Sequence, residues 1–176
     1  MPNLRTLKIR ETGLGDTSIS ALTNLCPNLQ RLDASFTLLK RAASLLSPFH
    51  APPLEKLLLT STSISPLEFG QILPRFSQLR ILSLGALGIS RGLQASIKNS
   101  SAMTMDDTGL RALTDALTGI APLEHVSLVG NTKLGTTSRL DSALADLVRR
   151  VGRKLKVGVQ LCLLAINNSI PVRCRI

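Results

Sequence analysis

Two histidines, three cysteines and eleven carboxylates are the side chains from which a catalytic or metal site would have to be built. Nucleophilic catalysis needs a nucleophile, a base and an orienting group in one place, and a zinc site needs Cys or His at short paired spacings. His50 stands between Pro48 and Pro52, in a stretch with loop character. His125 lies between Leu123 and Val126 and reads as an outward-facing strand residue. Asp106 and Asp107 precede an apolar helical pattern and suit helix capping better than acid–base work. Cys26, Cys162 and Cys174 share no metal-site spacing and do not make a disulfide framework. Cys26 is expected to pack as a small hydrophobe. Gly13, Gly15, Gly85, Gly88 and Gly130 have no Lys-Ser/Thr pair after them, so they read as turn residues rather than a phosphate loop. The sequence therefore predicts no catalytic residue, no cofactor and no metal, and the chain is not expected to be an enzyme.

The chemistry that remains is recognition through charge and shape. Three sets of residues recur at fixed offsets. Thr6, Arg31, Lys56, Ile81 and His125 form one, and Lys8, Asp33, Leu58, Ser83 and Ser127 the next. Arg10, Ser35, Thr60, Gly85 and Val129 form the third. Lys8, Arg10, Arg31 and Lys56 make the early members basic, whereas the later ones are small or apolar. An acidic or phosphorylated protein segment would suit that gradient. Ordinary soluble sheet positions would look similar. Nucleic acid fits poorly, because these sets contain no aromatic for base stacking.

The offsets come from a repeat. Leu4, Leu29, Leu54 and Leu79 are spaced by 25 residues, and each opens the pattern L-x-x-L-x-L-x-x-T-x-L. The copies read Leu4, Leu7, Ile9, Thr12, Leu14; Leu29, Leu32, Ala34, Thr37, Leu39; and Leu54, Leu57, Leu59, Thr62, Ile64. A fourth reads Leu79, Leu82, Leu84, Leu87, Ile89, with Leu87 in the Thr place, and a fifth Leu123, Val126, Leu128, Asn131. The Leu-x-Leu alternation points two side chains inward from a short strand. The short polar residue after it can hydrogen-bond the backbone where the strand bends away.

Between strands the apolar period becomes helical. Ile19, Leu22 and Leu25 are expected on one helix face, with Asp16 or Thr17 as the cap. Leu110, Leu113 and Leu117 line another helix, and a last one is expected from about Ser138 to Arg150, burying Leu140, Leu144, Leu147 and Val148. Pro27, Pro53, Pro74 and Pro122 stop the chain before successive units. Strand followed by helix, repeated, predicts an α/β solenoid.

The segments Leu25-Cys26-Pro27-Asn28-Leu29-Gln30-Arg31-Leu32 and Pro2-Asn3-Leu4-Arg5-Thr6-Leu7 resemble the cysteine-containing, ribonuclease-inhibitor-like branch of leucine-rich repeats. The resemblance covers residues 1 to about 150. It implies a right-handed horseshoe arc with parallel strands on the concave face and helices on the convex face. The branch is common in the substrate-receptor arms of F-box proteins, so a protein-interaction scaffold within an SCF-type ubiquitin ligase is implied. A Skp-type adaptor and a cullin would be reached only through an F-box, which is missing from this sequence. The cysteine occurs once, at Cys26; Ala51, Ser77 and Ala121 hold the equivalent places. An inhibitor-type module of the same branch is a rival reading, disfavoured by the basic, aromatic-poor strand positions. The partner-binding residues implied for the concave face are Thr6, Lys8, Arg10, Arg31, Asp33, Lys56, Leu58, Thr60, Ile81, Ser83, His125 and Ser127.

Composition agrees with stacking. Leucine supplies 35 of 176 residues against four Phe and no Trp or Tyr, as many equivalent packing slots would require. The net charge of +10 is uneven: residues 138–176 contribute +6 and the longer remainder +4. The basic tail around Arg149, Arg150, Arg153, Lys154 and Lys156 reads as a solvated helix end; a nucleic-acid adaptor is the alternative. The expected division is a leucine-rich-repeat domain at 1–151 and, at 152–176, a degenerate sixth strand with an irregular tail. Leu79 and Leu123 are 44 residues apart, which places an insertion near 91–104, read as a disordered excursion or a functional loop. Repeat sequence starts at once and no polar cap closes the array. The expectation is a piece of a longer solenoid, or a gene model with untranslated sequence read through the insertion and tail. Met1 leads directly into repeat sequence, and the apolar run Val157–Ile166 is about half a membrane span. A cytoplasmic or nuclear protein without a membrane segment is therefore expected.

Overall fold

The computed structural model describes residues 1–47, 50–85, 105–128, 131, 134 and 143–151. Strands β1 (Thr6–Lys8), β2 (Arg31–Asp33), β3 (Lys56–Leu58), β4 (Ile81–Ser83) and β5 (His125–Ser127) form one parallel sheet in sequence order. Among the described residues, helices α1 (Asp16–Leu25), α2 (Pro66–Ile72), α3 (Asp107–Thr118) and α4 (Ala143–Val151) complete the regular elements, with 3₁₀ turns at Ala42–Leu45 and Leu73–Arg75. The register is uniform: Leu7 pairs with Leu32, Leu32 with Leu57, Leu57 with Leu82 and Leu82 with Val126. The last step spans 44 residues rather than 25, yet the same repeat position meets its counterpart.

The strands are only three residues long, but backbone bonding continues past both ends. Gln30, Glu55, Arg80 and Glu124 donate to Arg5, Gln30, Glu55 and Arg80 at 2.8–2.9 Å before the strands. Ile9, Ala34, Leu59 and Leu84 donate to Asp33, Leu58, Ser83 and Ser127 at 2.8–3.0 Å after them. Inward side chains stack in columns. Leu29, Leu54, Leu79 and Leu123 are buried, as are Leu32, Leu57, Leu82 and Val126 beside them. In the first unit Leu4, Leu7 and Leu14 are only partly buried, since they have a neighbouring layer on one side.

The helical side differs from expectation in three places. On α1, Leu25 is 53% exposed, and the inward places belong to Ile19, Thr23 and Cys26. At about 100° per residue, a residue six positions after Ile19 lies about 120° off its face, whereas the fourth and seventh return to it. Thr23 is accommodated in the core by donating to the Ser20 and Ser44 carbonyls at 2.9 and 3.3 Å. The second unit has a 3₁₀ turn in place of an α-helix. Its 14 residues between Leu39 and Leu54 contain Pro48, Pro52 and Pro53, whereas the matching stretch of the first unit contains Pro27 alone.

The third difference concerns capping. Gly15 is the N-cap of α1 and no side chain caps that helix. Instead Asp16 reaches into the next unit, where its Oδ1 accepts from the Lys40 and Arg41 amides at 2.9 Å each. From the other side, Glu68 on α2 accepts from the Ala42 amide at 2.8 Å. The 3₁₀ turn has no cap of its own, so its free amides are met by carboxylates from both neighbours.

On α3 the expected cap is present: Asp106 accepts from the Gly109 amide at 2.8 Å. Leu110, Leu113 and Leu117 are buried as the spacing requires. Helices α2 and α3 approach closely at Gly109, where a Cβ would stand 2.9 Å from the Pro66 Cβ. Leu147 of α4 is buried with Ala143 and Val151, while Leu144 and Val148 are half-buried. Arg150 bridges Asp115 of α3 and Asp146 at 2.6 and 3.2 Å. A hydrogen bond from Arg149, assisted by Arg150, holds the Asp146 carboxyl below its ordinary range. Leu87, Ile89, the insertion at 91–104, residues 138–142 and the tail from 152 lie outside the described residues.

Two outcomes follow from this packing. Leu57→Ala should cost about 2–5 kcal/mol, and Leu7→Ala less because its slot is half open. Urea denaturation giving equal losses would contradict the stacked core. Asp16→Ala should cost about 1 kcal/mol and speed hydrogen exchange at the Lys40 and Arg41 amides. Unchanged exchange there would show that this carboxylate does not cap the turn.

Candidate binding face

Among the described residues, helices cover one face of the sheet and leave the other open. Along β2 to β5 the middle residues Leu32, Leu57, Leu82 and Val126 are buried. The flanking residues range from half-buried to exposed: Arg31 and Asp33, Lys56 and Leu58, Ile81 and Ser83, His125 and Ser127. The register places Thr6, Arg31, Lys56, Ile81 and His125 side by side in one row, and Lys8, Asp33, Leu58, Ser83 and Ser127 in a second. Arg10, Ser35 and Thr60 continue to the strand exits, where the Glu11, Phe36 and Ser61 amides donate to Ser35, Thr60 and Gly85. Val129, the remaining member of that set, lies outside the described residues. His50, exposed in its loop, is remote in sequence from either row.

The strand exit is built the same way in the first three units. Thr12, Thr37 and Thr62 donate through Oγ1 to the Ile9, Ala34 and Leu59 carbonyls at 2.7, 2.8 and 3.0 Å. Asn131, with a two-donor amide, reaches both the Leu128 and the Leu84 carbonyls at 2.8 and 2.9 Å, tying its unit to the one before. One residue ahead of each Thr the backbone turns left-handed: Glu11, Phe36 and Ser61 have φ of 60°, 58° and 53°. That conformation costs an L-residue about 1–2 kcal/mol, and at Phe36 a bulky ring is held in it.

Charges on this face divide into satisfied and unsatisfied. Arg10 pairs with Glu11 at 3.0 Å and lies over the Phe36 ring, 4.9 Å from its centroid. Asp33 Oδ1 accepts from the Ser35 amide at 3.1 Å. Thr60 and Ser83 hydroxyls bond each other at 3.2 Å. On the leading edge Arg80 is paired with Glu124, whose hydrogen bond and charge raise the guanidinium pKa above its ordinary value. Arg31, Lys56 and Lys8 have no salt bridge among the described residues. Phe36 is the feature of this face that strand patterning misses, because it sits in the turn rather than on an alternating position. Its signal was its place seven residues after Leu29, where the neighbouring units carry Glu11 and Ser61.

No three His, Cys, Asp or Glu side chains gather as a metal site would need among the described residues. Nor is any described helix long and apolar enough to cross a membrane. No protein-family model matches the sequence, and no curated protein matches it. Among solved structures, the tropomodulin C-terminal domain of Caenorhabditis elegans is similar, with a TM-score of 0.56 over 86% of this chain and 84% of that one. The fold is leucine-rich-repeat-like. Sequence identity between the two is 12%, so the likeness concerns the fold alone. In a leucine-rich-repeat-like fold the open sheet face repeats its side-chain rows from unit to unit.

Relief of the left-handed turn is measurable. Glu11→Gly should raise stability by about 0.5–1 kcal/mol, because the ion pair it removes is exposed and contributes little. A lowered denaturation midpoint would show that the turn is not strained.

Proposed function

We propose that this chain is a protein-binding scaffold that holds its partner on the open face of the sheet. The observation carrying this reading is the alignment of side chains into registered rows across five strands, on the face that the described helices leave uncovered. An acidic or phosphorylated segment is the partner class suggested by the excess of cations over β1–β3. The fold shared with the tropomodulin domain supports a scaffold and brings no partner with it.

The finer role we propose is the substrate-holding part of an F-box-type ubiquitin ligase, working in the cytoplasm or nucleus without a catalytic step of its own. Its support is the resemblance of Leu25–Leu32 and Pro2–Leu7 to the ribonuclease-inhibitor-like repeats of such receptors. Adaptor and cullin would be engaged by an F-box, not by these repeats.

Photo-cross-linking from single positions tests the face. A cross-linking residue at Thr6 or Ser127, on the sheet, should capture the same protein partner in cells. The same residue at Asn24 or Thr108, on the helices, should not. Capture only from the helical positions would overturn the assignment. Co-purification of a Skp-type adaptor and a cullin with the full-length protein should accompany the finer role, and their joint absence would remove it.

A further inference from the structure

Arg31 and Lys56 are register partners on adjacent strands. Like charges directly opposed in a ladder destabilise a sheet, and neither has a carboxylate within salt-bridge distance among the described residues. Arg10 and Arg80 are paired, with Glu11 and Glu124, and Lys8, unpaired as well, stands opposite Asp33 rather than another cation. The nearby Asp33 already uses one oxygen on the Ser35 amide. The Arg31–Lys56 pair is therefore a concentration of positive charge left open on the side away from the helices.

Beside it stand two aliphatic side chains on the same face. Ile81 follows Lys56 in the first row, and Leu58 follows it two residues along β3. Both are half-buried, with no described helix over them, among neighbours that are otherwise polar: Asp33, Ser83, His125 and Ser127. With strands about 4.8 Å apart and same-face residues about 6.8 Å apart along a strand, the centre of the cation pair lies roughly 6 Å from that of the aliphatic pair. An extended chain places alternate side chains on one side at about 6.8 Å. Residues two apart in such a chain would therefore meet the two halves together.

We propose that Arg31, Lys56, Leu58 and Ile81 form one composite docking patch for an extended protein segment carrying an unmodified acidic side chain two residues from a bulky aliphatic one. This rests on the open face being the binding face. A carboxylate matches the patch better than a phosphate. Two cations balance one or two negative charges, but Asp33, which follows Arg31 by two residues on β2, repels a phosphate dianion more strongly than a carboxylate. The aliphatic pair supplies affinity by leaving water, and the cations supply orientation and selectivity.

The test uses the full chain, nitrogen-15 labelled, titrated with a capped synthetic peptide of serine and glycine containing one glutamate and one leucine two residues apart. Amide shifts are expected to move on β2–β4, with a dissociation constant on the order of 1 mM. Replacing the peptide glutamate by glutamine, or its leucine by serine, should weaken binding about tenfold or more. Arg31→Gln with Lys56→Gln, and separately Leu58→Ser, should do the same while the remaining spectrum stays that of the folded protein. Equal binding of the glutamine peptide, shifts confined to other elements, or no saturable shift would overturn the proposal. So would a phosphoserine peptide binding about tenfold tighter than the glutamate one. If the peptides fail while cross-linking from Thr6 and Ser127 still captures a partner, the composite patch falls and the open-face reading stands. If cross-linking fails as well, both fall.

Discussion

No unit of this chain can bury its own leucines, and that constraint shapes everything else. A three-residue strand with one inward side chain at its middle and further inward residues just before and after it presents an apolar surface that only the next unit can cover. The columns through Leu29, Leu54, Leu79 and Leu123 and through Leu32, Leu57, Leu82 and Val126 result from that mutual cover. Each fully buried leucine contributes about 1.5–3 kcal/mol relative to an exposed one, and does so only while both flanking layers are in place. The partial exposure of Leu4 and Leu7, set against the burial of their counterparts, is the same rule seen at a layer with one neighbour.

Because the inward residues fix the register, the outward residues are fixed with them. A shift of one residue would turn the leucines out and the cations in. The face opposite the helices thus inherits its order from the core, and the 44-residue step between β4 and β5 does not disturb it. The strand exits add a second level of control. A short side chain donates to the carbonyl three residues back, and the residue before it accepts a left-handed backbone, so β1, β2 and β3 leave the sheet through the same turn. Phe36 shows what this device permits: a large ring held at the rim, with Arg10 laid across it.

The parts of this architecture that depend on local pattern could be read directly from the residues. The opening leucines, the alternation after them and the Thr or Asn eight positions on occupy fixed places inside a unit, so the pattern of the unit alone shows them. The strand register, and with it the two rows from Thr6 to His125 and from Lys8 to Ser127, followed from the constant offset. What could not be read depends on contacts between units. Asp16 has the type and position of a helix-capping residue, and its partners lie 24 and 25 residues away. Leu25 looks like a core residue by type and is turned outward because Cys26 occupies the returning face. The short 3₁₀ turn of the second unit is visible only as an excess of proline, which says what will not form and not what will. The open charge of Arg31 and Lys56 required knowing which carboxylates were already engaged.

The shared capping of that 3₁₀ turn makes the units non-interchangeable. Asp16 belongs to the preceding unit and Glu68 to the following one, and their acceptors converge on three consecutive amides from opposite sides. A copy of residues 29–53 transplanted elsewhere in the array would keep its leucines and its strand, and would leave those amides to solvent. Duplication or shuffling of this module would therefore need compensating acids on both of its new neighbours.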